Sequence, residues 1–222
     1  MKMKTYGLVV FDMDGLMIDS ERMTFEGYRA VCGPLGYAVE EEFYTTLLGT
    51  PEKTVRRKFV EAFGEGIPIE SIMDQMHAWL EERFAREGVP VKPGLVELLA
   101  MLKAKGIRTM VATSSKRARV DRILEASGLG DYFDGSICGD EVKRGKPDPE
   151  IFLKACAKMG VPPREALVLE DSEQGIQASH RAGIPCICIP DMKRPQPEFV
   201  EMTVAVLDSH TAAADWIRKK LC

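Results

Sequence analysis

The sequence predicts an α/β protein, a doubly wound parallel sheet carrying an inserted, all-helical unit. Three observations carry this. Short apolar runs recur along the chain, continuous rather than alternating, as in strands covered on both faces. Helical patterns separate most of them, and strands alternating with helices build parallel sheets. One stretch breaks the alternation: about 95 residues without a strand follow the first run, far longer than an ordinary crossover.

The first strand is expected over residues 6–11, closed by Asp12. Four candidate helices follow, over 21–31, 40–47, 52–63 and 69–86, punctuated by Pro34, Pro51, Pro68 and Pro90. Met73, Met76 and Leu80 have helical spacing and read as the core of this insert. The next helix presents Leu95, Leu98, Leu99 and Leu102 on one face and stops at Gly106. A second strand spans 107–112. Ser115 is placed to cap a helix running through Glu125 and ending near Gly128. The remaining strands are expected at 135–138, 166–169, 185–189 and 204–207, with helices at 149–158 and 173–182. The expected division is a core of residues 1–17 and 89–222 and a helical unit of 18–88. Two crossings join them, near residues 15–20 and 88–93. A module on two strands of chain can act as a lid.

Composition narrows the function. With 45% hydrophobic and 29% charged residues, the 222-residue chain reads as soluble and globular, not as a disordered chain or a disulfide scaffold. A net charge of −4 argues against a nucleic-acid groove or an anionic membrane as the main partner. No apolar run approaches the roughly 20 residues of a transmembrane helix, nor the core of a signal peptide. Cys222 is not placed for prenylation. A cytoplasmic monomer is expected. The six cysteines, Cys32, Cys138, Cys156, Cys186, Cys188 and Cys222, have no zinc spacing and read as reduced, buried thiols. His77, His180 and His210 lie outside the strand ends, so no catalytic histidine is assigned. Arg56-Arg57-Lys58 reads as a solvated helix face.

Ligands on open parallel sheets bind beyond the carboxyl ends of the strands. After the first strand come Asp12 and Asp14, two carboxylates that want a cation or a shared proton, with Gly15 permitting the turn. After the second come Thr113, Ser114, Ser115 and Lys116, with hydroxyls, helix-start amides and an ammonium suited to an anion. After the third, Lys146 stands between Gly145 and Pro147, ahead of a capping Asp148. After the fourth come Glu170, Asp171 and Ser172. Asp171 or Ser172 can be a plain helix cap, but an acid at the Glu170 strand terminus gains nothing from packing. Together the four places put carboxylates, hydroxyls and one lysine at one edge of one sheet.

Asp12-Met13-Asp14-Gly15, Thr113, Lys146 and Glu170-Asp171 resemble the four ordered motifs of the haloacid dehalogenase-like phosphotransferase superfamily. Residues 12–21, 112–116 and 145–152 are similar to its β-phosphoglucomutase-like branch, which includes many small-molecule phosphatases. The resemblance spans nearly the whole chain and makes the insert a helical cap. It implies Asp12 as the nucleophile forming an aspartyl-phosphate and Asp14 as the acid and then the base. It implies Thr113 and Lys146 on the phosphoryl group, and Mg²⁺ held by Asp171, the Asp12 carboxylate, the Asp14 carbonyl and Glu170. Ser114 joins the phosphate-binding set. Glu21, Thr24, Gly49, Lys53, Ser115 and Lys116 are expected to touch substrate. The superfamily's dehalogenases lack the second aspartate, so Asp14 favours phosphoryl transfer.

The branch's mutase carries a cap histidine where this chain has Thr24. It also carries an arginine for the distal phosphate in the segment 49–53, where Glu52 would repel one. The expectation is therefore a Rossmann-like core with a helical cap. It would act as a Mg²⁺-dependent phosphatase on a small phosphorylated metabolite, a sugar or nucleoside phosphate. A sugar-phosphate mutase and a non-catalytic binding protein on the same fold are the alternatives.

Overall fold

A computed structural model of the chain describes residues 6–221; Cys222 lies outside them. The chain divides into two compact units. One holds the chain up to Ile18 and again from Val91; the other is Asp19–Pro90. β1 (Leu8–Phe11) opens the first unit. The second unit follows with α1 (Ser20–Cys32), α2 (Glu41–Thr45), α3 (Glu52–Phe63) and α4 (Ile69–Glu87). The first resumes with α5 (Leu95–Ala104), β2 (Arg108–Ala112), α6 (Arg117–Ser127), β3 (Gly135–Ile137) and α7 (Glu150–Met159). β4 (Ala166–Glu170), α8 (Glu173–Arg181), β5 (Cys186–Cys188), α9 (Pro197–Val200), β6 (Ala205–Val206) and α10 (His210–Leu221) complete it.

The six strands form one parallel sheet in the order β3-β2-β1-β4-β5-β6. The chain steps outward from β1 to β3, then returns to the other side of β1 and steps outward again. That reversal makes a crevice between the carboxyl ends of β1 and β4, where doubly wound sheets bind ligands. Phe11 pairs with Val111 on one side and Leu169 on the other, so Asp12 leaves the sheet beside the ends of β2 and β4.

Both faces are covered, which is why the strand sequences do not alternate. Leu8, Val10, Met110, Ala112 and Val168 pack with Ile151, Phe152 and Ala155 of α7 and Ile176 and Ala178 of α8. Each fully buried aliphatic side chain contributes about 1.5–3 kcal/mol. Val9, Phe11, Val111 and Leu169 alternate to the opposite face and are as fully buried. α5 contacts β2 and α10. Its leucines Leu95, Leu98, Leu99 and Leu102 are all buried, as their spacing predicts.

The second unit is helical throughout the described residues, with α1 packed along α4. Its core is aromatic: the Tyr28 and Phe59 rings lie 5.0 Å apart, and Phe43 meets Phe59 edge-on at 5.2 Å. Met73, Met76 and Leu80 are buried there and His77 is exposed. Arg56 and Arg57 pair with Glu52, Glu70 and Glu61, and Lys58 reaches the Thr46 carbonyl, so the basic run is a solvated, ion-paired face.

Two expectations change. Ser115 does not cap α6. The helix starts at Arg117, with Lys116 at its N-cap position and no side-chain cap bond from it. Instead the Asp140 carboxylate accepts the Arg117 N–H at 3.1 and 3.2 Å, supplying a cap from another loop. α10 has no counterpart in the sequence reading; its buried apolar residues Ala213, Ala214 and Ile217 make a stripe too small to mark a helix. Cys32, Cys138, Cys156, Cys186 and Cys188 are free and buried. Among the described residues, no helix is long and apolar enough to cross a membrane.

Candidate active site

The chain beyond the carboxyl ends of β1–β4 carries two bonded groups, Ser115 with Thr113 and Asp14, and Lys146 with Asp12 and Glu170. Lys146 is the centre of the second. Its side chain is 5% exposed, and its ammonium donates to Asp12 Oδ1, to Glu170 Oε1 at 2.6 Å and to the Ala112 carbonyl at 3.1 Å. An ammonium has three donors, so all three are used. The Phe152 ring lies 5.0 Å from Nζ. The loop that carries Lys146 is fixed from the start of α7: the Glu150 carboxylate accepts the Lys143 and Arg144 N–H groups at 3.1 Å.

Burial pushes the Asp12 carboxyl up to about 7, with Lys146 pulling the other way and Glu170 adding to the rise. Burial also disfavours the Lys146 ammonium, but the carboxylates of Asp12 and Glu170 outweigh it and hold the lysine above its usual range. The lysine is the local source of positive charge that keeps a buried Asp12 carboxylate tenable.

Glu170 is fully buried and is hydrogen-bonded through both carboxylate oxygens. Oε1 accepts from Lys146. Oε2 accepts from the Asp171 N–H at 3.0 Å, the Ser172 N–H at 3.0 Å and the Ser172 hydroxyl at 2.9 Å. Three of the four donors crowd onto Oε2, and Oε1, with room for about two, receives only the lysine. Ser172 also caps α8, accepting the Gly175 N–H at 3.1 Å. Gly175 is required here: a Cβ at that position would overlap the Glu170 carboxylate.

Thr113 is buried, and its hydroxyl accepts the Ser115 N–H at 3.1 Å. The Ser115 carbonyl accepts the Gly139 N–H at 2.8 Å, which ties the loop after β2 to the loop after β3. Ser115 Oγ donates to Asp14 Oδ2 at 2.8 Å. Arg119 of α6 reaches the same oxygen at 2.7 Å. Sequence reasoning missed Arg119; its only signal is that it stands one helical turn past Ser115. Ser114 and Lys116 are exposed beside them.

The remaining expected substrate residues lie in the second unit. Glu21 Oε2 accepts from the buried Tyr44 hydroxyl at 2.9 Å, and Thr24 also bonds Tyr44. Gly49 and Lys53 are exposed. Glu52, expected to repel a second phosphate, is paired with Arg56 at 2.6 Å, which offsets that charge.

Among the described residues, no three His, Cys, Asp or Glu side chains are arranged as a metal cluster. The donor chemistry fits Mg²⁺ nonetheless. Asp12 and Asp171 offer carboxylates and Asp14 a carbonyl, all hard oxygens, and Mg²⁺ keeps several waters and needs few protein ligands.

A family model described as haloacid dehalogenase-like hydrolase matches residues 9–189. A phosphorylated carbohydrates phosphatase from Thermotoga maritima is 35% identical over 176 residues, covering 79% of this chain and 81% of that protein. A validoxylamine A 7'-phosphate phosphatase from Streptomyces hygroscopicus subsp. limoneus is 31% identical over 182 residues, 82% of this chain and 84% of that one. Among solved structures, CbbY from Rhodobacter sphaeroides in complex with phosphate matches with a TM-score of 0.76 and 29% identity. It covers 93% of this chain and 95% of its own.

Proposed function

The chain belongs to the haloacid dehalogenase-like hydrolases and is a phosphatase of that family, and we propose that it hydrolyses a small phosphomonoester, a sugar or nucleoside phosphate, through an aspartyl-phosphate on Asp12. The observation that carries the reading is the desolvated Lys146 ammonium set between Asp12 and Glu170 at the switch point of the sheet. A phosphate dianion repels an attacking carboxylate, and fixed positive charge beside both relieves that repulsion.

In the first step an Asp12 carboxylate oxygen bonds to phosphorus and the ester P–O bond breaks. The departing alcohol oxygen takes a proton from Asp14. In the second step water attacks the same phosphorus and gives a proton to Asp14. The P–O bond to Asp12 then breaks, which frees inorganic phosphate and restores the carboxylate. Thr113 and Ser114 hold the phosphoryl oxygens, and the Lys146 ammonium offsets the charge of Asp12 and of the phosphate beside it. Glu170 is a positioning residue: it fixes Lys146 and the backbone of Asp171. Asp12, Asp171, the Asp14 carbonyl and Glu170 would hold Mg²⁺, which would supply further positive charge for the phosphoryl oxygens. Glu21, Thr24, Gly49, Lys53, Ser115 and Lys116 are assigned to the choice of alcohol.

The test is phosphate release from a panel of small phosphomonoesters, with Mg²⁺ and with chelator, run beside Asp12→Asn. Release should need the metal and fall by at least about 10⁴-fold in the variant, since the nucleophile is gone. Turnover unchanged in the variant would sink the mechanism. Isomerised sugar phosphate without free phosphate would make the enzyme a mutase.

A further inference from the structure

We propose that Arg119 is a positioning residue that sets the acid–base carboxylate of Asp14; the assignment rests on the phosphatase reading above. Asp14 Oδ2 accepts from Ser115 Oγ at 2.8 Å and from Arg119 Nη1 at 2.7 Å. Arg119 Nη1 also donates to Ser115 Oγ at 2.8 Å. The three groups close a triangle. Asp14 comes from the loop after β1, Ser115 from the loop after β2, and Arg119 from the first turns of α6.

The base under Arg119 is firm. Val120 and Ile123 bury the inner face of α6. Asp140 holds the first amide of the helix, and the Arg117 guanidinium is pinned to Ser136 Oγ at 2.5 Å. Residues four apart share a helix face, so the Arg119 side chain lies over the loop at Ser115. A planar guanidinium fixes direction as well as distance, which a lysine does not.

The pair is about a quarter exposed at each end, 28% for Arg119 and 26% for Asp14. Attraction between such charges contributes little to stability. Its value is geometric. A proton donor must come within about 2.6–3.2 Å of the departing oxygen, and a short carboxylate beside a turn does not hold that position unaided. The triangle also ties the acid to the same loop that presents Thr113, so proton donor and phosphate site move as one body.

The test uses two esters that differ in need for an acid. An alkyl alcohol leaves poorly without a proton; nitrophenolate leaves as a stable anion. In Arg119→Ala, kcat/KM on the alkyl phosphomonoester should fall roughly 10²-fold, and on 4-nitrophenyl phosphate no more than about threefold. One equivalent of nitrophenol should be released in a burst, because the later water step also relies on Asp14. Arg119→Lys should recover part of the alkyl activity. Equal falls on both esters would mean a phosphate-binding role and overturn the proposal. Kinetics unchanged beside an active wild type would overturn it too and leave the phosphatase reading intact. No phosphate release by the wild type from either ester would sink both.

Discussion

The buried ammonium of Lys146 meets three oxygens, and removing it tests what that group does. Lys146→Met keeps the unbranched stem, one atom shorter, and leaves Asp12 and Glu170 buried without a cation. Breaking one side of a buried ionic cluster costs about 3–5 kcal/mol, so chemical denaturation should show a loss of that order. Activity should fall at least about 10²-fold, as it does when one donor to a developing anion is removed. Adding Glu170→Gln to that variant removes one of the two stranded charges. Stability should then recover in part while activity stays low. Recovery of activity as well would mean that Lys146 serves the fold alone. Asp12 and Glu170 were legible in the sequence because each stands just past an apolar run, where packing gives an acid no reward, and Lys146 through its place between Gly145 and Pro147. Arg119 was not, since an arginine on an amphipathic helix looks the same whether it meets water or a catalytic carboxylate. Glu170 was half legible. Its place at the strand end was visible, but not that four donors would meet its oxygens, three of them on Oε2.

At the scale of elements, the β4–α8 turn shows how tightly one helix start is fitted to the site. The oxygens of Glu170 organise the turn, Ser172 caps the helix, and the backbone at Gly175 passes against the carboxylate. Gly175→Ala should force Glu170 out of place. We expect a loss of about 2 kcal/mol or more from overpacking and a matching fall in activity, because Lys146 loses its second anchor. Gly160→Ala is the control. It ends α7 at φ 62 with open space around it, so the cost should be about 1 kcal/mol of backbone strain with kinetics unchanged. If both variants lost activity alike, the fit at Gly175 would have no bearing on the site. The sequence revealed α8 through its Ser172 cap and its apolar period, yet nothing in it distinguishes a glycine needed for contact from one merely tolerated. The Ser115 cap failed for a related reason. Three hydroxyls in Thr113-Ser114-Ser115 each offer a local cap, and which one is diverted to Asp14 depends on a loop 101 residues away in the chain.

At the scale of the whole molecule, stability against acid is set in part by a group remote from the reaction. His210 opens α10 and is 3% exposed. Its Nε2 is buried with no hydrogen-bond partner, and its other ring nitrogen bonds the Pro93 carbonyl. Burial pushes the imidazole down to about 4, and the nearby Lys92 ammonium, itself paired with Asp191 at 2.5 Å, pushes the same way. A folded value below the unfolded one means that the unfolded chain takes up the proton first. Above about pH 6.5 both states are neutral and the stability is intact. As pH falls toward 4 the unfolded state gains, until both states are protonated and the loss levels off. At pH 5 this histidine alone should cost the fold about 2 kcal/mol relative to pH 7. His210→Asn keeps a donor for Pro93 and removes the titration. Urea unfolding of the two proteins at pH 7 and pH 5 should show the wild type losing about 2 kcal/mol more than the variant between those values. Equal losses would mean that the imidazole charges freely inside the fold, and the acid limit of the protein would then lie with its carboxylates.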